Sequence, residues 1–470
     1  MKWRYGLLAV VMIVGAVSGW WLQQKKGCVS VSPPPVVPPT VILLSIDTVR
    51  ADHVGCYGYP RNTTPTIDRL AQESVRYRQV MSVAPNTAPA HMSMLTGMSP
   101  LVHGVHIYGK DGNYRTLAAE IPTLAELLHQ HGYHTVGLTN SLQVGKVLGF
   151  ARGFDRYEDD FFSVDGMYRD PVATEQNSRQ RWREVLAEAN QRRQPLFAFL
   201  HHFLNHSVYL APPREYRERF ADQLLDFLPR SHVELPNRPG VLDDDRRFFE
   251  TVTGEDMRQR GHVAALYDGA LAYSDHTVQI MIEELRAAGR WENTLFILVS
   301  DHGEELYEHK CWGHSQLWAE HLKVPLLVKF PAGHAAGRVI EQPVQTDALA
   351  PTILAVLGMP IPPTMQAAPL PPLQVTSPAP RFSYQPECDG QGEPQLTGMR
   401  VSTDSYTWFW HNRLPEIEFL FAATDTMEQH NLAEQQPAEC RRLRAMTEEK
   451  MAADRAWRAH LLAHAGAAEE

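Results

Sequence analysis

Two apolar runs in the sequence end in aspartate, and a threonine and histidine motif lies between them. Asp47 closes the run 41–46, and Asp301 and His302 follow closely on the run 294–299. An apolar run without alternation predicts a parallel strand covered on both faces, and ligands collect beyond the carboxyl ends of such strands. Two carboxylates and an imidazole that converge there repel each other or lose solvation unless a cation joins them. These residues therefore indicate a hard divalent metal ion.

The elements that position these residues alternate along the chain. Strands are predicted at 41–47, 135–139, 196–201, 294–300 and 324–330, and helices at 66–74, 123–131, 178–190 and 263–288. Strands that alternate with helices predict an α/β fold, in which a doubly wound, mainly parallel sheet carries helices on both faces. Near the carboxyl end, a small antiparallel sheet is predicted from 398–405 and 407–410, followed by a helix at 438–465.

The composition shifts along the chain predict its organisation. We expect a signal anchor or signal peptide at 1–28, a proline-rich linker at 29–40, a catalytic domain at 41–360, a second linker at 361–380, and a C-terminal α+β subdomain with its helix at 381–470. Within the catalytic domain, residues from about 214 to 262 are charged and poorly periodic. This insertion is interpreted either as a lid over the site or as a solvated surface insertion.

The first residues carry positive charge and lead into an apolar stretch at 6–22. Trp20-Trp21 lie at the end of this stretch, and Lys25-Lys26 follow it. The aromatic pair is typical of a membrane interface and favours an uncleaved anchor. The alternative is a cleaved signal with Ala16-Val-Ser18 as its processing site. We therefore expect an exported body, held at a bacterial inner membrane and facing the periplasm, or periplasmic or secreted if the signal is removed.

Composition and charge narrow the class of protein. The 470-residue chain is 44% hydrophobic and 21% charged, which is ordinary for a globular protein, and its formal net charge is −10. No run of lysine and arginine is long enough to grip a nucleic acid backbone. Nucleic acid is therefore not an expected partner.

A series of motifs carries a family resemblance. They lie at 47–59, 64–71, 87–97, 103–104, 153–155, 202–209, 300–304 and 321–326, and include Thr87-Ala-Pro-Ala-His91 and Ser300-Asp-His-Gly-Glu304. In this order, over roughly residues 40 to 440, the motifs resemble the sulfatase family of the alkaline phosphatase superfamily. The resemblance implies a hydrolase of sulfuric or phosphoric esters.

One position departs from the family pattern. The family motif begins with a cysteine or serine that is oxidised to formylglycine and ends in arginine, whereas this chain has Thr87 and His91 there. Threonine carries a methyl group on Cβ and would give a ketone, so Thr87 is not expected to become formylglycine. Its hydroxyl can still act as a nucleophile, as in superfamily relatives that transfer phosphoryl groups. The residue favours phosphate or phosphonate esters, while the family favours sulfate.

The resemblance also implies a ligand set for the ion. Asp47, Asp301, His302 and the Thr87 oxygen are the implied ligands of one divalent ion, which can be Mn²⁺, Zn²⁺, Ca²⁺ or Mg²⁺. Thr48 stands where sulfatases have a second aspartate. The imidazole favours the first two metals.

Histidines supply the remaining candidates. His206 resembles the family histidine that faces the ester oxygens, and His314 resembles a second such contact or a leaving-group acid. His91, at the arginine position, completes the catalytic candidates together with Thr87. For His202 and for His309 two interpretations stay open, a role in the site and a role in the structural scaffold.

Two cations expected by the family pattern are missing. The lysine that grips sulfate is absent from 138–143, where Asn140 offers only an amide, and His91 replaces the arginine. Arg50 either compensates for them or forms a structural ion pair.

Three functions fit these features. The first is an ester hydrolase, the second an envelope phosphoryl-group transferase of the phosphoethanolamine or phosphoglycerol type, and the third a degenerate relative that binds a glycan without turnover. The expected partner is a small-molecule, glycan or lipid ester.

Overall fold

The computed structural model of the protein describes residues 38–107, 114–160, 170–207, 209–221, 260–309, 312–373, 379–388, 394–411 and 417–465. The predicted signal segment and most of the first linker, at 1–37, lie outside the described residues. Within the described ranges, none of the helices combines the length and the apolar character that a membrane span needs.

Eighteen strands are present among the described residues, and eight of them form the central sheet. In chain order they are β1 Thr40–Ile46, β2 Val75–Tyr77, β3 Val80–Met81, β4 His106–Ile107, β5 Tyr114–Arg115, β6 His134–Leu138, β7 Arg156–Glu158, β8 Leu196–His202, β9 Thr294–Val299, β10 Glu305–Leu306, β11 Trp312–Gly313, β12 Leu326–Lys329, β13 Val339–Ile340, β14 Val344–Gln345, β15 Arg381–Cys388, β16 Pro394–Ser402, β17 Tyr406–His411 and β18 Glu418–Ala422. The central sheet has the order β13-β2-β12-β9-β1-β8-β6-β7.

Helices separate most of the central strands. They are α1 Pro65–Gln72, α2 Thr87–Thr96, α3 Pro100–His103, α4 Leu124–Gln130, α5 Pro171–Arg192, α6 Arg214–Arg217, α7 Arg260–Ala287, α8 Ala319–Leu322, α9 Leu349–Val356 and α10 Pro437–Ala465. Strands β9, β1, β8, β6 and β7 run parallel, which confirms the predicted doubly wound, mainly parallel α/β sheet.

The central strand β1 shows why the sheet is covered on both faces. All seven of its residues are buried. Val41 and Leu43 pack in one apolar cluster with residues of α2, α4 and α9, whereas Ile42, Leu44 and Ile46 pack in a second cluster with α1, α5 and α7. Alternate side chains thus point to opposite layers of helices, as strand geometry requires. An unbroken apolar run is the sequence signature of that arrangement.

The edge of the sheet beyond β9 differs from a wholly parallel arrangement. β12 runs antiparallel to both β9 and β2. The predicted strand at 324–330 is therefore present as Leu326–Lys329, but in the reverse direction to its neighbour. An apolar run specifies burial rather than direction, which the connection to the preceding strand decides.

The small C-terminal sheet consists of β15 to β18, which pair antiparallel in sequence order. The predicted C-terminal sheet and helix are therefore confirmed, and α10 follows the last strand. Trp318 of the catalytic part packs against Phe409, Phe419 and Phe421 of this sheet, all of them buried. This apolar contact joins the two parts into one packed body.

The two segments predicted to lie outside regular structure are partly described. Of the insertion at 214–262, residues 222–259 lie outside the described part, while α6 lies close to α7, since the Tyr216 carbonyl oxygen would be 2.3 Å from a Cβ placed on Gly269. Of the second linker, residues 374–378 are likewise not described. The preceding residues lie against the catalytic part, where the main-chain N–H of Gln366 donates to the Gly97 carbonyl at 2.9 Å.

Candidate active site and metal centre

Three neighbouring strand ends bring the polar residues together. Asp47 follows β1, His201 and His202 end β8, and Asp301 and His302 lie just beyond β9. Because the three strands are parallel neighbours in register, their carboxyl ends meet at one edge of the sheet. All five side chains are fully buried. The sheet topology therefore gathers two carboxylates and several imidazoles in one buried cluster.

Helix α2 brings Thr87 to the same place. Thr87 is the first residue of the helix, after the extended residue Asn86, and Gly97 ends the helix in the left-handed conformation at φ 65°. All ten residues of α2 are buried. The N-terminus of a helix carries partial positive charge and free N–H groups, which favours a negatively charged ligand beside Thr87.

Distances define a compact group around the Thr87 hydroxyl. Its Oγ1 lies 3.2 Å from Nε2 of His302 and 3.5 Å from Oδ2 of Asp47. Nε2 of His302 lies 3.7 Å from Oδ1 of Asp47 and 3.4 Å from Oδ2 of Asp301. The four implied ligands of the sequence analysis are therefore within a few ångströms of one another.

The ring orientation of His302 suits a metal ligand. Its Nδ1–H donates to the Gly303 carbonyl at 2.9 Å, which leaves a lone pair on Nε2, directed at the carboxylates. Burial lowers the pKa of His302 well below its ordinary value, so the ring is neutral. Burial, and next the charge of Asp301, raise the pKa of Asp47 well above its ordinary value. The protein thus holds carboxylates in a place where their charge is disfavoured.

These residues fit a divalent cation. Oδ1 of Asp47 and Oδ2 of Asp301 are buried and make no hydrogen bond within the described part of the chain. Two ligands that each bind a metal at about 2.1 Å in tetrahedral geometry lie about 3.4 Å apart, which is close to the separations seen here. Orphaned carboxylate oxygens beside a neutral imidazole are the donor set that a divalent metal requires.

His206 and His314 form a pair on the open side of this group. Both are partly exposed, and their Nε2 atoms lie 3.1 Å apart. The His314 ring centroid is 4.3 Å from that of His302. Nδ1 of His206 donates to the Ser207 carbonyl at 3.0 Å and Nδ1 of His314 to the Pro85 carbonyl at 3.1 Å. The two imidazoles therefore face each other through their Nε2 atoms beside the metal candidates.

Comparison with known proteins agrees with this geometry. The model of the sulfatase family matches residues 39–359. The chain belongs to the sulfatase family. A second family model, that of the C-terminal region of N-sulphoglucosamine sulphohydrolase, matches residues 307–455. This membership makes the protein a hydrolase of the sulfuric or phosphoric ester class, as the sequence motifs predicted.

Individual relatives are distant and chemically varied. The ulvan-active sulfatase of Formosa agariphila is 23% identical over 426 residues, which are 83% of this chain and 76% of that protein. The multifunctional alkaline phosphatase superfamily protein PehA of Trinickia caryophylli is 24% identical over 377 residues, covering 68% of this chain and 73% of PehA. The phosphonate monoester hydrolase SpPMH from Silicibacter pomeroyi shares the fold, with a TM-score of 0.66 at 20% identity over 88% of this chain and 95% of its own.

In this sulfatase-family protein His91 lies beneath the site rather than facing the Thr87 hydroxyl. Its Nδ1 is 2.8 Å from the Thr87 carbonyl oxygen and 3.5 Å from Oδ2 of Asp301, and its Nε2 is 2.8 Å from Oγ of Ser45. The ring therefore connects α2 to β1. Burial lowers the pKa of His91 to about 4, so the ring does not carry the charge of the family arginine.

Arg50 forms the structural ion pairs that the sequence left as one alternative. The guanidinium is buried and lies 2.8 Å from Asp52 and 2.7 Å from Glu308. Its Nη1 also donates to the Glu304 carbonyl at 3.1 Å. Nothing in these contacts directs its charge toward Thr87.

The weaker candidates lie around the site. Nδ1 of His202 forms a hydrogen bond with the Thr277 hydroxyl at 3.1 Å. His309 pairs with Glu305, with Nδ1 3.2 Å from Oε1. Asn140 is buried just beyond the end of β6. Thr48 has φ 61° and donates from its hydroxyl to the Asn205 carbonyl, so it supports the Asp47 turn and leaves the second aspartate position without a carboxylate.

Sequence reasoning missed one residue of the site. His201 lies on β8, pairs in register with Ser45 of β1, and is fully buried with its Nε2 3.4 Å from Oδ2 of Asp47. The available signal was a histidine pair at the end of an otherwise apolar strand, because a buried imidazole needs a partner for its ring nitrogens.

Proposed function

We propose that this chain is a divalent-metal-dependent hydrolase of sulfate or phosphate-type esters in which Thr87 is the nucleophile. The observation that carries the proposal is the position of one hydroxyl. Thr87 Oγ1 lies within 3.5 Å of both His302 Nε2 and Asp47 Oδ2, at the N-terminus of a buried helix. A threonine hydroxyl needs a partner that lowers its pKa before it can act as a nucleophile. The neighbouring imidazole and carboxylate are groups that can hold a metal ion in this role.

The metal supplies one part of the chemistry. A divalent ion held by Asp47, Asp301 and His302, with the Thr87 oxygen as a further ligand, provides a Lewis acid that lowers the pKa of a hydroxyl and offsets charge on the ester. The nitrogen ligand favours Zn²⁺ or Mn²⁺ over Ca²⁺ and Mg²⁺.

The chain's own groups carry out the displacement. The Thr87 oxygen, deprotonated before each turnover, attacks sulfur or phosphorus as the alkoxide and forms a covalent ester, while the bond to the leaving oxygen breaks. His206 and His314 are placed to pass a proton to that oxygen, because both Nδ1 atoms donate to carbonyls and the two Nε2 atoms face each other at 3.1 Å. Water then attacks the ester, returns a proton to the pair and frees Thr87.

The substrate class follows from the same residue. A threonine ester of phosphate or phosphonate is released by simple hydrolysis, whereas the family route for sulfate uses an aldehyde that threonine cannot form. We therefore expect phosphate-type esters to be turned over faster than sulfates, with a small-molecule, glycan or lipid leaving group.

The test is a substrate panel measured on matched variants. Aryl sulfates, phosphate monoesters, phosphate diesters and phosphonates are assayed with wild type, Thr87→Ala and Thr87→Ser, and Thr96→Ala serves as a control on the same helix. Thr87→Ala is expected to lower kcat/KM by a factor on the order of 10³ or more, because the covalent route is lost. Thr87→Ser keeps a hydroxyl and is expected to retain turnover.

Two outcomes would contradict this assignment. Unchanged turnover in Thr87→Ala would exclude the nucleophile. Sulfate turnover far above that of phosphate and phosphonate esters would exclude the proposed preference. Mass spectrometry of the quenched peptide that contains Thr87 identifies the group that it carries.

We also propose that the catalytic body acts outside the cytoplasm, at the inner membrane of a bacterium or free in the periplasm or medium. The support is the charged, apolar and aromatic pattern of residues 1–28. Cell fractionation with protease accessibility tests the location, and N-terminal sequencing of the mature protein shows whether the segment is removed. A soluble cytoplasmic protein with an intact N-terminus would overturn the proposal.

A further inference from the structure

A second group of buried polar side chains adjoins the proposed metal ligands. His201 is fully buried there, and neither of its ring nitrogens makes a hydrogen bond within the described part of the chain. Leaving a buried donor or acceptor without a partner costs about 1–3 kcal/mol. An imidazole with both nitrogens unpartnered indicates a ligand at this place, and nothing in the mechanism above uses this residue.

The surroundings of His201 supply the other ligands of a cation. Its Nε2 is 3.4 Å from Oδ2 of Asp47, and Nδ1 of His91 is 3.5 Å from Oδ2 of Asp301. The two imidazole rings meet edge to face with their centroids 4.8 Å apart. One ligand atom from each of His91, His201 and Asp301 lies within 4.8 Å of the others. The 3.4 and 3.5 Å separations match the edges of a tetrahedral coordination shell with bonds of about 2.1 Å, and the wider separations within the 4.8 Å group must shorten when an ion binds.

We propose that His91, His201 and the Asp47 and Asp301 carboxylates form a second divalent-cation site, adjacent to the first and sharing both carboxylates with it. The donor set of two imidazoles and two carboxylates selects Zn²⁺ or Mn²⁺ rather than Ca²⁺ or Mg²⁺. This inference deepens the proposed function, because the shared carboxylates belong to both sites.

Ion binding at His91 requires a change of tautomer. Nδ1 donates to the Thr87 carbonyl at 2.8 Å, and Nε2 lies 2.8 Å from the Ser45 hydroxyl, which can donate or accept. When Nδ1 binds an ion, its hydrogen bond to the Thr87 carbonyl is given up and the ring proton moves to Nε2, which donates to Ser45 Oγ. Ligating histidines commonly donate their other ring nitrogen in this way, which fixes the ring orientation.

Charge explains why an ion belongs at this position. The family motif places an arginine where this chain has His91, so a fixed positive charge is missing beside two buried carboxylates. Buried carboxylates need compensation by positive charge or hydrogen bonds. A second dication at His91 and His201 restores positive charge close to where the arginine would have supplied it.

A metal count tests the proposal on the intact protein. Wild type, His201→Gln and His91→Gln are stripped with a chelator, loaded with Zn²⁺ or with Mn²⁺, passed through gel filtration and analysed by mass spectrometry of the elements. Wild type is expected to retain two ions per chain and each variant one. His202→Gln is the matched control, because it removes the next residue of β8, and is expected to retain two. In the Co²⁺ form, magnetic coupling between the ions is expected in wild type and absent in His201→Gln.

The outcomes are decisive in both directions. One ion or none in wild type overturns the second site, and this reading does not depend on whether a variant folds. Two ions in both His201→Gln and His91→Gln overturn the assignment of its ligands. The number of bound ions is measured without turnover, so the two proposals are tested separately. If the Thr87 mechanism were wrong, two ions per chain would still support the second site. If only one ion were bound, the Thr87 mechanism would be unaffected.

Discussion

Asp47 and Asp301 illustrate how a functional residue opposes the stability of its own fold. Both are fully buried and close to each other, and burial together with the charge of Asp301 raises the pKa of Asp47 well above its ordinary value. In the ion-free protein each carboxylate disfavours the charge of the other. Ion binding relieves this repulsion, so the folded protein is stabilised by its metal.

This repulsion predicts an unusual effect of Asp47→Asn. In the presence of a chelator the variant should be more stable than wild type by about 1–3 kcal/mol, because a buried charge has been removed. With excess Zn²⁺ wild type should gain about 2.7 kcal/mol when the ion is 100-fold above its Kd, and the variant should gain far less. Urea unfolding under both conditions measures these differences.

Asp155→Asn is the control for the carboxylate variant. Asp155 is partly exposed and accepts hydrogen bonds from the Thr135 main-chain N–H and hydroxyl, with His134 Nδ1 also 3.1 Å from its carboxylate. Its replacement should lower stability with or without metal, because a satisfied network is broken. A chelator-treated Asp47→Asn protein less stable than wild type would show that the two carboxylates do not repel in the ion-free state.

The residues of the site were predictable to different degrees. Asp47 and Asp301 could be found because they terminate or closely follow apolar runs, and Thr87 because it occupies a motif. His201 could not be distinguished from a satisfied core histidine, since only the register of β8 against β1 brings it to Asp47. The partners of His91 likewise depend on the helix and strand packing, which sequence spacing does not specify.

At the level of elements, the loop between β9 and β10 positions Asp301 and His302 against helix α8. The main-chain N–H of Gly303 donates to the His321 carbonyl at 2.7 Å. A Cβ on Gly303 would lie 2.0 Å from the Glu320 carbonyl oxygen, a backbone atom that cannot move aside on its own. Glycine is required here by close approach of two backbones rather than by a positive φ.

We therefore predict that Gly303→Ala weakens both the fold and the metal site. The free energy of unfolding should fall by about 1–3 kcal/mol, as expected for overpacking, and metal affinity should fall because the adjacent ligands are displaced. Gly289→Ala is the control, since Gly289 has φ 71° but open space around its Cβ position. It should lose stability through backbone strain and keep its metal affinity, measured by titration calorimetry. Equal metal affinity in Gly303→Ala and wild type would contradict the prediction.

The pattern of apolar residues identified the central strands. It did not identify short or irregular strands, or a strand direction that depends on the chain connection. The cores of β1, β6, β8 and β9 were predicted because they are buried on both faces. β15 and β18 were missed; β15 contains Pro386 at a register shift, and β18 has only five residues. The antiparallel direction of β12 was also missed, because it depends on the connection through α8 and not on composition.

For the molecule as a whole, the C-terminal sheet completes the catalytic part through a buried ion pair as well as apolar packing. Arg400 of β16 pairs with Glu428, and Glu428 Oε2 also accepts from the Ala319 main-chain N–H at the start of α8 at 3.0 Å. Arg400 NH1 donates to the Leu317 carbonyl at 2.8 Å. These contacts tie the segment after His314 to the sheet.

Glu428→Gln should therefore destabilise the whole protein. The variant leaves the Arg400 charge buried without its partner, a change that costs about 3–5 kcal/mol. The exposed pair of Glu439 and Arg442 on α10 is the control, and Glu439→Gln should cost less than about 1 kcal/mol. Thermal melts should show one cooperative transition in each case, and two separate transitions in wild type would contradict the joined body described above.

A second buried pair near the same interface makes stability depend on pH. His309 stacks on Trp318 with ring centroids 3.8 Å apart, and its Nδ1 lies 3.2 Å from Oε1 of Glu305. Burial alone would lower the pKa of His309, but the charge of Glu305 outweighs it and raises the pKa to about 9. In the same pair the pKa of Glu305 falls to about 2, because the charge of His309 outweighs the effect of burial.

The direction of the pH effect follows from the raised pKa of His309. A histidine whose folded pKa lies above its unfolded value of about 6.5 contributes its full stability below that value, and this contribution is lost as the pH rises through 9. In a chelator, the stability advantage of wild type over His309→Gln should therefore shrink between pH 6.5 and 9.5, by up to about 1.4 kcal/mol per pH unit. His103→Gln should not change the slope between pH 7.5 and 9.5, because burial lowers the pKa of His103 to about 3 and the residue is neutral there in both the folded and the unfolded protein. Urea midpoints at pH 6.0, 7.5 and 9.5 measure the difference, and parallel profiles for wild type and His309→Gln would show that this pair is not charged in the folded protein.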